Sequence, residues 1–129
     1  MSAVSTYLSD KLIDHMRGLT SYTMPTVWIG LCTTASTTSA QGTEAAYTGY
    51  TRVALSGLLS AASAESGTNS SAITFPACSG SSSTVVGFFT ADSATVSAGN
   101  LLEFGTCSLS VSTGITPSFA ISSFVTTLV

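Results

Sequence analysis

From Pro25 onward the apolar residues come in short runs, and each run is broken by Gly, Ser, Thr or Asn before a helical stripe can build. That texture admits strands and turns but no long helix. Strands are expected near Thr26 to Thr34, Tyr47 to Ser56, Ala72 to Ala77, Thr84 to Ala91, Leu101 to Val111 and Ser118 to Leu128. If the fifth run divides, the result is a mainly β fold, an antiparallel β-sandwich of about seven strands. In the first run Val27, Ile29 and Leu31 alternate with Trp28, Gly30 and Cys32, so both faces are apolar, and Val85 to Phe89 behaves likewise. Strands of that kind belong at the middle of a sheet or beneath a covering element. By contrast, Ser108, Ser110 and Ser112 alternate with Leu109 and Val111, the pattern of a half-exposed strand. The Ser122–Ser123 doublet implies a bulge in the last strand. Ala35 to Ala46 and Gly57 to Ser71 are rich in small residues and are expected to be long loops.

The first twenty residues differ. Ser5 or Thr6 is placed to cap a helix, and Val4, Leu8, Leu12, Met16 and Leu19 recur at three or four residues, giving an apolar stripe that Gly18 would end. This N-terminal α-helix is the expected cover for the sheet, within a single domain spanning residues 1–129. Asp14 and Arg17 lie three apart on its polar side, where a pair contributes a few tenths of a kcal/mol, of order ~0.3.

Four of the nine charged residues, Asp10, Lys11, Asp14 and Arg17, belong to that helix. Only 7% of the chain is charged, against about 25% in an ordinary soluble domain. Hydroxyls take the place of charges on the β-rich part, and they cost far less to desolvate against another protein surface. With a net charge of −3 and three basic residues, the chain has no positive surface for phosphates, so nucleic acid is not an expected partner. No apolar run approaches the length of a membrane span, and no basic start followed by an apolar core marks a signal peptide. Cys32, Cys78 and Cys107 are odd in number and widely spaced, which fits free thiols in a protein made in a reducing cytoplasm better than a disulfide framework or a zinc set.

No catalytic, cofactor-binding or metal-ligating constellation is expected. His15 is the only histidine, and Asp14 beside it projects about 100° away on the helix. Glu44, Glu65, Asp92 and Glu103 are isolated, with no spacing that singles out a carboxylate pair. Asn69, Ser70 and Ser71 match a glycosylation sequon that is expected to be silent. Trp28, Phe75, Phe88, Phe89, Phe104, Phe119 and Phe124 lie in β-periodic runs and are expected in the core. Tyr7, Tyr22, Tyr47 and Tyr50 suit a wet edge. The candidate partner-contact residues are therefore Tyr7, Lys11, Asp14 and Arg17 on the helix, and Tyr47, Tyr50 and Arg52 around Gly49.

The order of short motifs resembles a family of small tailed-bacteriophage virion proteins, often labelled tail fibre proteins, some of them associated with capsid decoration. The matching segments are Leu8 to Gly18, Thr26 to Thr34, Gly42 to Glu44, Gly49 to Arg52, Asn69 to Ala77, Val85 to Ala91, Gly99 to Gly105 and Val111 to Phe119. Gly80 to Ser83 are all small where the family often has an aromatic. The resemblance implies a β-rich structural protein of the virion without enzymatic activity or cofactor, made in the host bacterial cytoplasm. Small size, acidic charge and a hydroxyl-rich surface then point first to a decoration or cement protein on the outer capsid, a homo-oligomer bound to the major capsid protein. A tail or tail-fibre component, adaptor or host-binding module is the alternative.

Overall fold

The runs with apolar residues on both faces sit inside a sheet. A computed structural model describes residues 2–128, in which β1 (Ser2–Val4) and α1 (Thr6–Met16) precede β2 (Trp28–Cys32) and β3 (Val53–Ala54). There follow β4 (Ser66–Thr68), β5 (Ile73–Thr74), β6 (Ser83–Ala91), β7 (Leu101–Val111), β8 (Ser118–Phe119) and β9 (Val125–Thr127). The main sheet is antiparallel with order β1-β7-β6-β2-β3, so β2 and β6 are interior as their double-faced hydrophobicity requires. Two small antiparallel pairs, β4 with β9 and β5 with β8, complete a mainly β fold with an N-terminal helix.

The main core joins both sets of strands. Ile29, Leu31, Val85, Phe88 and Val111 of the large sheet cluster with Ile73, Phe75 and Phe124, and Phe119 packs against them. Phe88 meets Phe119 and Phe124 edge-on, with ring centroids 5.5 and 5.6 Å apart. On the opposite face of β2 and β6, Cys32, Phe89 and Ala91 pack with Leu101 and Phe104. Cys32 and Cys78 are buried, Cys107 is half-buried, and all three are free thiols.

Several elements depart from expectation. The β7 run stays whole, with shifts in register against β6 between Val85 and Gly87 and between Thr90 and Ala91. The last run is instead cut in two by a turn, with Ser122 at φ 64° and its N–H donated to the Asn69 carbonyl, so the expected bulge is a chain reversal between β8 and β9. Only Val53 and Ala54 of the Tyr47 to Ser56 run pair as a strand. β1 and β4 were hidden because three residues of small or polar side chains carry no periodicity.

The helix is the largest correction. Ser5 caps it, accepting from the Leu8 N–H at 3.1 Å, and Gly18 at φ 73° ends it in a Schellman turn with Gly18 and Leu19 N–H donated to the His15 and Asp14 carbonyls. Of the expected stripe, however, only Leu8 is buried, while Met16 is 81% and Leu19 65% exposed. The helix is tethered at its start, where the Ser5 N–H reaches the Leu102 carbonyl, and does not roof the sheet. What covers the Phe89 face of the sheet is the polar group described next.

Candidate functional site

Glu44 and Arg52 are the only charges between Arg17 and Glu65. They form a buried ion pair, with Arg52 Nη2 2.9 Å from Glu44 Oε1. The contact is two-pronged, because Arg52 Nε also donates to Glu44 Oε2 at 2.9 Å. The remaining guanidinium donors reach the carbonyls of Ser93 (2.7 Å) and Ala98 (2.9 Å) and the Gln41 side-chain oxygen (3.5 Å). Glu44 further accepts from the Tyr50 hydroxyl (2.7 Å), the Ser97 N–H (2.8 Å) and the Gln41 amide (3.2 Å). The Arg52 guanidinium lies 5.0 Å from the centroid of the Phe89 ring and so closes that face of the sheet.

Local backbone geometry explains why these residues meet. β3 pairs only with Trp28 and Ile29, so Leu31 of β2 has its N–H and carbonyl turned outward without a strand partner. The Tyr50 hydroxyl accepts from the Leu31 N–H at 3.0 Å, and the Ala45 N–H donates to the Leu31 carbonyl at 2.8 Å. Gly30 makes this approach possible: a Cβ there would stand 2.7 Å from the Tyr50 oxygen and collide with the Phe89 ring. Burial on its own would push the Glu44 carboxyl up, but the hydrogen bonds from Arg52, Ser97 and Tyr50 outweigh it and hold the group below its ordinary value. Burial, and then the Glu44 hydrogen bond, push the Tyr50 phenol far above its own.

Of the expected contact patch, Tyr47 and Arg52 are therefore interior and Tyr50 is half-buried. Tyr47 is 2% and Arg52 4% exposed, and Tyr47 donates to the Pro76 carbonyl at 2.8 Å while packing edge-on with Tyr50 at 5.4 Å. A tyrosine body fills the core while its hydroxyl satisfies a backbone group, which is why these rings are not at the surface. Tyr7, Lys11, Asp14 and Arg17 remain on α1 and its cap, with Lys11 and Arg17 exposed. Lys11 Nζ lies 5.6 Å from the Tyr7 ring centroid. Asp14 and Arg17 do not pair, and Glu44–Arg52 is the one ion pair among the described residues. His15 Nδ1 accepts from the Tyr22 N–H at 3.1 Å, fixing the chain as it leaves the helix.

Two further features have a structural role that the sequence did not signal. Asn69 is fully buried, donating to the carbonyls of Ser71 (2.9 Å) and Ala120 (2.8 Å) and accepting from the Phe124 N–H (2.9 Å), so the sequon is inaccessible in the folded chain. A largely apolar groove of about 540 Å³ opens between Met24, Leu55, Leu59, Phe124 and Leu128, and Glu103 lines it. Burial raises the Glu103 carboxyl above its ordinary value, against the hydrogen bonds from Ser2 (2.7 Å) and Thr126 (2.8 Å). Among the described residues no three His, Cys, Asp or Glu side chains gather as metal ligands, and no helix is long and apolar enough to cross a membrane.

The arrangement thus has an internal polar clamp and two surface features, an exposed helix end and a largely apolar groove that no residue of α1 lines. A family model described as podophage GP4 fiber I protein gp80 matches residues 3–127, nearly the whole chain. Among curated proteins none matches it.

Proposed function

The chain belongs to the podophage GP4 fiber I protein gp80 family, and on that premise we propose that it is a non-enzymatic structural component of a bacteriophage tail or tail fibre. The observation that carries this reading is the match over residues 3–127, which spans every described element except the first residue of β1 and the last residue beyond β9. A fibre description favours the tail over the outer capsid surface to which composition first pointed. The distribution of polar groups supports a role without chemistry. Glu44 and Arg52 are occupied by each other and by backbone, and His15 Nδ1 is taken by a backbone N–H. Its partners on this reading are other virion proteins, reached by exposed apolar side chains and hydroxyls, with neither nucleic acid nor membrane involved. Contacts of that kind depend little on ionic strength.

Quantitative mass spectrometry of purified virions tests the placement. A tail component is expected at a small fraction of the copy number of the major capsid protein. A copy number close to that of the capsid protein would return the chain to the head surface.

A further inference from the structure

Two surfaces left open on this molecule complement each other. The groove is walled by Met24, Val27, Leu55, Leu59, Phe124 and Leu128, of which Met24, Leu59 and Leu128 are 49%, 44% and 56% exposed. Its charged side chains are both carboxylates, Glu65 and Glu103, and no basic residue lines it. Glu103 Oε2 accepts from Ser2 and Thr126, whereas Oε1 has no hydrogen-bond partner among the described residues. The helix end is its counterpart. Ile13, Met16 and Leu19 form an apolar row 49%, 81% and 65% exposed, with Arg17 within it. Arg17 and Lys11 are the only basic side chains outside the clamp, since Arg52 is locked to Glu44. No residue of α1 lines the groove of its own chain.

We infer that the C-terminal end of α1 in one copy of this chain docks into the Leu59–Leu128 groove of a second copy, with Met16 and Leu19 against the apolar walls and Arg17 directed at the groove carboxylates. The occupant follows from charge and shape together. An all-acidic apolar groove selects a side chain with an apolar stem and a cationic tip, and the chain's own exposed helix end presents one between two large apolar residues. Because the two surfaces differ, the contact is head-to-tail and propagates copies along a line or closes them into a ring. Burial in the contact also explains why a chain so short of charge leaves three large apolar residues outside on one helix end. This goes beyond the tail-component reading and stands without it.

Sedimentation velocity of the full chain, alone and mixed, tests the contact. The wild-type chain should self-associate, and Met16→Glu or Leu59→Asp should each weaken association at least tenfold. Mixing those two variants should restore a heterodimer and nothing larger, since one supplies an intact groove and the other an intact helix. Both positions are substantially exposed, and thermal melting checks that each variant stays folded. Independently, benzoylphenylalanine at position 16 should photocrosslink to the Leu59 or Leu128 segment of another copy. A wild-type chain monomeric to about 1 mM, the weak end of useful affinity, would overturn the docking, as would association that survives either variant, a mixture that stays monomeric or a crosslink outside the groove. None of these results alters the copy number in virions, so the two readings fail separately.

Discussion

Every N–H of the Arg52 guanidinium has an acceptor inside the protein, and Glu44 supplies two of them. Removing one member of such a buried pair leaves the other desolvated without a counter-charge, at a cost of about 3–5 kcal/mol. Arg52→Met and Glu44→Gln are each expected to fall in that range by urea unfolding, and the double variant to lose clearly less than their sum. Glu44 and Glu103 have opposite pH behaviour. Glu44 is held below its ordinary value, so it stabilises the fold above the carboxylate range and that contribution is lost as the pH falls through its depressed folded value. Glu103 is raised, so the folded state binds its proton more tightly and ionisation of this group at neutral pH opposes folding. Glu103→Gln should therefore raise the melting temperature at about pH 8 and lose that advantage as the pH falls to about 4, while wild type melts lower below about pH 4 chiefly through Glu44. Part of this was legible in the sequence. The motif segments Gly42 to Glu44 and Gly49 to Arg52 contain both residues, but the sequence leaves Glu44 isolated and puts Arg52 in a surface contact patch. Their burial was not legible, because it depends on β3 stopping short and leaving Leu31 to be capped by Tyr50.

At the scale of elements, periodicity was informative where strands are long and silent where they are short. β2, β6 and β7 carry alternation over enough residues to be recognised, and the interior position of β2 and β6 followed from their two apolar faces. β4 and β5 gain their partners from distant segments, β9 and β8, and nothing local announces that pairing. For the helix, the stripe from Leu8 to Leu19 gave the correct element and the wrong contact. An apolar face fixes that something covers it, not that the cover is the chain's own sheet. Truncation and point substitution at this end are consequently expected to differ. Deleting Met1 to Gly18 removes β1, which pairs with β7 at Glu103 to Gly105, and exposes a sheet edge, so aggregation on expression is expected. Met16→Glu touches only the exposed end of α1 and should change stability by no more than about 0.5 kcal/mol in thermal or urea unfolding of the monomer. A large loss in that variant would mean the helix end packs on its own domain after all.

For the whole molecule, scarcity of charge has a structural counterpart. The β-rich part solubilises itself with hydroxyls and neutralises its one isolated Glu–Arg pair internally, while the remaining cations, Lys11 and Arg17, stay on the helix and its cap. That division leaves a protein whose open surfaces are suited to burial against other proteins, in keeping with its membership of a fibre protein family. A cryo-electron microscopy map of the intact virion tests this most directly. Density for the chain is expected on the tail, with the Met16–Leu19 end of α1 covered by a neighbouring molecule. Density on the capsid lattice, or a helix end left facing solvent, would contradict it.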